Sequence, residues 1–128
     1  MIGISKRLAL TLFAASLPAA LPFAARAGEA DVVAVTVAKE AGGTYRFSAT
    51  LRHADTGNEH YADRWEVLAP DGKVLATRVL YHPHVNEQPF TRSLGNVEIP
   101  DGIDSVTVRA HDKVHGYGGR EETVKIPR

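Results

Sequence analysis

Hydrophobic and polar residues alternate along most of the chain. From Asp31 to Ala38, Val33, Val35 and Val37 fall on one side and Val32, Ala34 and Thr36 on the other. β-branched residues at period two predict a strand. Thr44 to Arg52 alternates most cleanly, with Tyr45, Phe47, Ala49 and Leu51 facing one way and Arg46, Ser48, Thr50 and Arg52 the other. One apolar and one wet face is the pattern of an antiparallel sheet resting on a core. Tyr61 to Ala69 groups Tyr61, Asp63, Trp65 and Val67, with the single tryptophan as core anchor. Lys73 to Tyr81 sets Leu75, Val79 and Tyr81 on its inner face. Phe90 to Leu94 is a short strand, Ser105 to His111 turns Val106, Val108 and Ala110 inward, and Glu121 to Ile126 is the last strand.

Turn signals separate these runs. Gly42-Gly43 supplies positive φ without steric cost, and Pro70-Asp71-Gly72 and Pro100-Asp101-Gly102 favour tight bends. Seven short strands with no helical periodicity after residue 27 predict an all-β, antiparallel, seven-stranded sandwich. The run from Val97 to Ala110, with its Pro-x-Gly corner and its Val-x-Val-x-Ala alternation, resembles the corresponding corner of immunoglobulin-like and fibronectin type III domains. The resemblance covers the strand pattern and implies an architecture, not an activity. The tyrosine of that corner is absent here, where Ser105 and Val106 stand.

Residues 1–27 follow another pattern. Lys6 and Arg7 precede an apolar stretch, Leu8 to Leu17, and Ala25-Arg26-Ala27 fits a small-x-small cleavage site. These are the three parts of a secretory signal. Pro18, Pro22 and Arg26 break the run that a membrane-spanning helix would need. The expectation is a signal peptide over 1–27, cut after Ala27, and one β-sandwich domain over 28–128 in the periplasm or secreted, with no membrane attachment after cleavage.

Within 28–128, 12 Lys and Arg stand against 15 Asp and Glu, a formal charge of −3. Mixed signs and mild acidity give no footprint for nucleic acid or for an anionic membrane. The sequence has no cysteine. That removes a disulfide framework, a thiolate nucleophile, a lipid-bearing cysteine and Cys-based metal sites.

Strand order then changes how the histidines read. If successive strands alternate in direction, the loops after strands two, four and six share one end. These loops are His53–His60, His82–Pro89 and Asp112–Arg120. They hold His53, His60, His82, His84 and His115, with His111 at the mouth of the third. All six histidines are thus expected at one pole. Imidazole is the commonest protein ligand for Zn(II), Cu(II) and Ni(II). In His82-Pro83-His84, side chains two apart point the same way and proline stiffens the chain between them. The expected metal set is His82, His84, His111 and His115, with Glu87, Asp112 or Asp63 adding an oxygen ligand or orienting a ring.

The bland reading of each residue is solvated loop polarity, strand-end capping or an ordinary surface ion pair, Arg92 with Glu87 included. A second functional reading makes the pole a surface for a protein or carbohydrate partner. Glu87, Arg92, Tyr117, His53 and His60 would contribute, and Tyr117 among glycines would be the exposed tip. Catalysis has weaker support. Asp55, Glu59 and His111-Asp112 offer acids and a base. No G-x-S-x-G, H-E-x-x-H or phosphate-binding glycine loop accompanies them, and no catalytic residue is assigned.

Overall fold

The computed structural model describes residues 28–128, and the expected signal segment lies outside them. Seven strands run in order: β1 (Asp31–Lys39), β2 (Tyr45–Arg52), β3 (Ala62–Leu68), β4 (Val74–Val79), β5 (Phe90–Val97), β6 (Ser105–Asp112) and β7 (Glu122–Lys125). They form two antiparallel sheets, β1-β2-β5 and β4-β3-β6-β7. There is no helix among the described residues. Val32, Phe47, Leu51 and Phe90 from the first sheet share one core with Trp65, Val67, Val106 and Val108 from the second. All eight are fully buried, each worth roughly 1.5–3 kcal/mol in transfer free energy.

The alternation of β2 buries Tyr45, Phe47, Ala49 and Leu51, as the pattern predicts. β1 uses both of its valine sets. Its register shifts between Val32 and Ala34. Val32 is therefore buried first, and Val35 and Val37 pack on the core beyond the irregularity. One extra residue in a strand reverses its alternation.

The same effect corrects β3. Its register against β6 shifts between Ala62 and Arg64, so Ala62 shares the core with Trp65. Asp63 turns outward instead of joining Trp65, and Tyr61 is only half-buried. β4 needs a second correction. Val79 and Tyr81 are exposed (41% and 81%), while Leu80 between them is buried. β4 is an edge strand ending at Val79, and Leu80 is drawn inward where its N–H donates to Asp63 O at 2.9 Å. β5 runs three residues beyond Leu94, pairing Val97 with Tyr45.

The even-numbered loops do meet at one end. Lys113 N–H donates to Tyr61 O at 3.0 Å, joining the β6–β7 loop to the β2–β3 loop. His84 N–H donates to Asp55 Oδ2 at 2.6 Å, joining the β4–β5 loop to them. The start of β1 is bound to the same end, with Val32 N–H to Arg120 O at 2.8 Å and Arg120 N–H to Asp31 Oδ1 at 2.7 Å. At the opposite end, Gly42–Thr44, Lys73–Leu75 and Glu98–Asp101 surround a shallow hollow with no histidine.

Candidate functional site

Two buried carboxylates organise the pole. Asp112 ends β6 and is fully buried. Its Oδ1 accepts the backbone N–H of Val114 at 2.7 Å and that of His115. Backbone bonds between Asp112 and Gly116 at 2.8 and 2.9 Å close the turn. That leaves Oδ2 facing the neighbouring loop, where it meets Nε2 of His53 and, at 2.8 Å, Nε2 of His60. Burial opposes ionisation of Asp112, but the amides of His115 and Val114 and the His53 ring outweigh it and hold the carboxyl below its usual value.

Asp55 performs the matching task on the other side of His53. Its Oδ1 accepts from His53 Nδ1 and from Ala62 N–H at 3.1 Å, and its Oδ2 accepts from His84 N–H. His53 therefore sits buried between two carboxylates, with each ring nitrogen committed to one of them. His60 is brought to the site by a small loop of its own, closed by Thr56 N–H to His60 O at 3.0 Å and His60 N–H to Gly57 O at 3.2 Å.

His53, His60 and Asp112 each offer one donor atom, and these atoms lie within 4.8 Å of one another. Two imidazole nitrogens and one carboxylate oxygen form a donor set suited to Zn(II) or Cu(II). Asp55 behind His53 matches the carboxylate–histidine–metal arrangement that fixes ring orientation and tautomer. Two further groups border the set. The Gly28 carbonyl oxygen lies 3.3 Å from His53 Nε2 and 3.5 Å from His60 Nε2. The His115 ring stands edge-on to that of His60, centroids 5.1 Å apart, with Nδ1 3.1 Å from Asp112 Oδ1.

The expected set of His82, His84, His111 and His115 is not brought to one point. His115 borders the centre just described. His82 is exposed, its ring 4.8 Å from that of His84. His84 is buried, stacks on Phe90 at 3.9 Å, and has no hydrogen-bond partner on either ring nitrogen. Burial, with help from Arg92 and His82, pushes its pKa below the usual histidine value. His111 stands apart, bonded to Asp63 at 2.6 Å and edge-on to Tyr117. Glu87 and Arg92 form an ion pair at 3.2 Å whose carboxylate lies in solvent, where screening leaves such a contact little weight.

Tyr117 lies flat on the outer face of β3 and β6. The Arg109 guanidinium covers its ring at 3.8 Å, Arg64 donates to its oxygen at 2.8 Å, and its hydroxyl donates to Glu66. Glu66 is itself buried, an outward-facing residue of β3 roofed by these groups. Sequence reasoning missed it. The signal was present only across strands, where Glu66 is paired with Arg109 and Arg64 with His111.

No family model matches the chain, and no solved structure matches it. A protein of Halomicrobium mukohataei described as "Putative lipoprotein" is 46% identical over 96 residues, covering 75% of this chain and 47% of that protein. The chain thus spans about half the length of the relative it matches.

Proposed function

We propose that the protein binds a divalent transition metal, Zn(II) or Cu(II), through His53 Nε2, His60 Nε2 and Asp112 Oδ2. The observation that carries this reading is the convergence of two imidazole nitrogens on one buried carboxylate oxygen whose other oxygen is already occupied. His115 is the nearest additional imidazole, and three protein ligands with one open position are common where a metal is exchangeable or reactive. The lipoprotein description of the relative and the signal-like residues 1–27 support a place in the cell envelope, periplasmic or secreted. The division β1-β2-β5 against β4-β3-β6-β7 supports an immunoglobulin- or fibronectin-III-like sandwich as scaffold.

Titration with Zn(II) and Cu(II) near neutral pH tests the metal reading. The wild type should bind, His60→Ala and Asp112→Asn should each bind far more weakly, and a joint His82→Ala/His84→Ala variant should bind like the wild type. Equal binding by wild type and His60→Ala would reject this centre. A second reading, a protein or carbohydrate partner docking at this pole, draws on exposed apolar side chains there: Tyr81, Val85 and Val114 at 81%, 50% and 61%. Under that reading, changing Tyr81 and Val114 to serine would abolish partner binding without altering metal affinity.

A further inference from the structure

The segment before β1 enters the centre at a specific atom. Gly28 presents its carbonyl oxygen to both Nε2 atoms of the proposed ligand pair, at 3.3 and 3.5 Å. The carbonyl is thus within reach of the same point on which the two imidazoles converge. A Cβ at this residue would lie 2.6 Å from Cε1 and 2.7 Å from Nδ1 of His115, so glycine is what allows the approach while His115 stays on Asp112. The approach is held from behind. Gly119 packs directly on the Ala30 carbonyl, and Arg120 bonds to both Asp31 and Val32. Next to Gly28, Oε2 of Glu29 is buried without a hydrogen-bond partner. Its carboxylate lies against Gly118 of the β6–β7 loop.

We propose that removal of residues 1–27 makes Gly28 the first residue of the working protein, and that its freed α-amino nitrogen, together with its carbonyl oxygen, completes the metal centre. The proposal rests on the metal-site reading above and on the cut after Ala27. The two Gly28 atoms belong to one residue, so covalent geometry keeps them within about 4 Å of each other. Binding an ion through both closes a five-membered chelate ring. Before cleavage the Gly28 nitrogen is an amide, which is not a metal donor at neutral pH unless it is deprotonated. The centre would therefore gain its full affinity only when the leader is removed, outside the compartment of synthesis.

Residues 28–128 contain both sheets and the whole shared core, so this body can be released from a cleavable fusion in two forms. One begins with the free amine of Gly28, and the other keeps Ala27 ahead of it. Chelator-treated samples should melt alike, showing equal folding. Cu(II) binding by competition and the nitrogen hyperfine structure of the Cu(II) electron paramagnetic resonance spectrum are then compared. The form beginning at Gly28 should bind at least roughly tenfold more tightly, the scale on which a supporting group at a metal site acts. It should also show one more coupled nitrogen. Equal affinity with identical spectra would overturn the proposal while leaving the centre of His53, His60 and Asp112 standing. Failure of both forms to bind would overturn that centre and the proposal together.

Discussion

His53 Nδ1 donates to Asp55 Oδ1, and that one bond decides which nitrogen of the ring is turned to Asp112. Asp55→Asn tests the consequence. The amide keeps the size of the side chain but loses the charge that fixes the tautomer. Zn(II) affinity should fall by about ten- to a hundredfold, the usual cost of removing a supporting carboxylate. His53→Ala should do more. It leaves two buried carboxylates facing an empty space, and unfolding at neutral pH should become easier by about 3–5 kcal/mol. Calorimetry and metal competition on the two variants would separate orientation from support. If Asp55→Asn binds Zn(II) as tightly as wild type, Asp55 does not serve the metal.

Metal loading should raise stability by mass action. With free Zn(II) at a hundred times the dissociation constant, the folded state gains about 2.7 kcal/mol. For a domain of this size that is a rise of several degrees in melting temperature. In His60→Ala the rise should vanish while the metal-free melting temperature moves little, because the His60 side chain is 23% exposed and His53 still pairs with Asp112. An undiminished rise in His60→Ala would place the metal elsewhere.

Much of this pole is legible in the residue pattern, and the part that is not has a physical cause. Alternation at β2 and β6, with turn residues between strands, is enough to place seven strands and to bring the loops carrying His53, His84 and His115 to one end. What alternation cannot carry is a change of register. The irregularities at Val32/Ala34 and Ala62/Arg64 each shift a strand by one residue, and the second turns Asp63 out to His111. The choice among histidines is hidden for a related reason. His82-x-His84 is the conspicuous spacing, but Phe90 takes the His84 ring by stacking. His53 and His60 look like ordinary loop residues until Asp55 and Asp112 are known to be buried beside them. Burial of a carboxylate is a tertiary property, and no local spacing announces it.

The outer face of β3 and β6 gives a pH prediction. Burial disfavours ionised Glu66, but hydrogen bonds from Tyr117, Arg64 and Arg109 outweigh it and hold its pKa below the usual glutamate value of about 4.5. A group with a lowered pKa in the folded state stabilises above its unfolded value and loses that contribution as pH falls through the folded one. Glu66→Gln should therefore cost about 2 kcal/mol at neutral pH, the scale of charge-assisted hydrogen bonds. The gap from wild type should close as pH drops below about 4.5. Urea unfolding of both proteins from pH 7 to pH 3 measures it. A gap that stays constant with pH would mean that Glu66 acts through packing alone.

Gly119 offers the sharpest steric test. A Cβ there would meet the carbonyl of Ala30, which is backbone and cannot swing aside like a side-chain tip. Gly119→Ala must push the β6–β7 loop away from the segment before β1, straining Arg120 N–H to Asp31 and Val32 N–H to Arg120 O. Overpacking of this kind costs about 1–3 kcal/mol. Gly42→Ala is the control. No atom lies within 4 Å of its Cβ, and its φ of 92° adds only local strain, about 1–2 kcal/mol, at the pole without histidines. The two variants can therefore lose similar stability and still differ in function. Gly119→Ala should weaken metal binding, because Gly28 follows Ala30 away from His53 and His60, whereas Gly42→Ala should leave it unchanged. Equal metal affinity in both would show that the segment before β1 merely covers the pole.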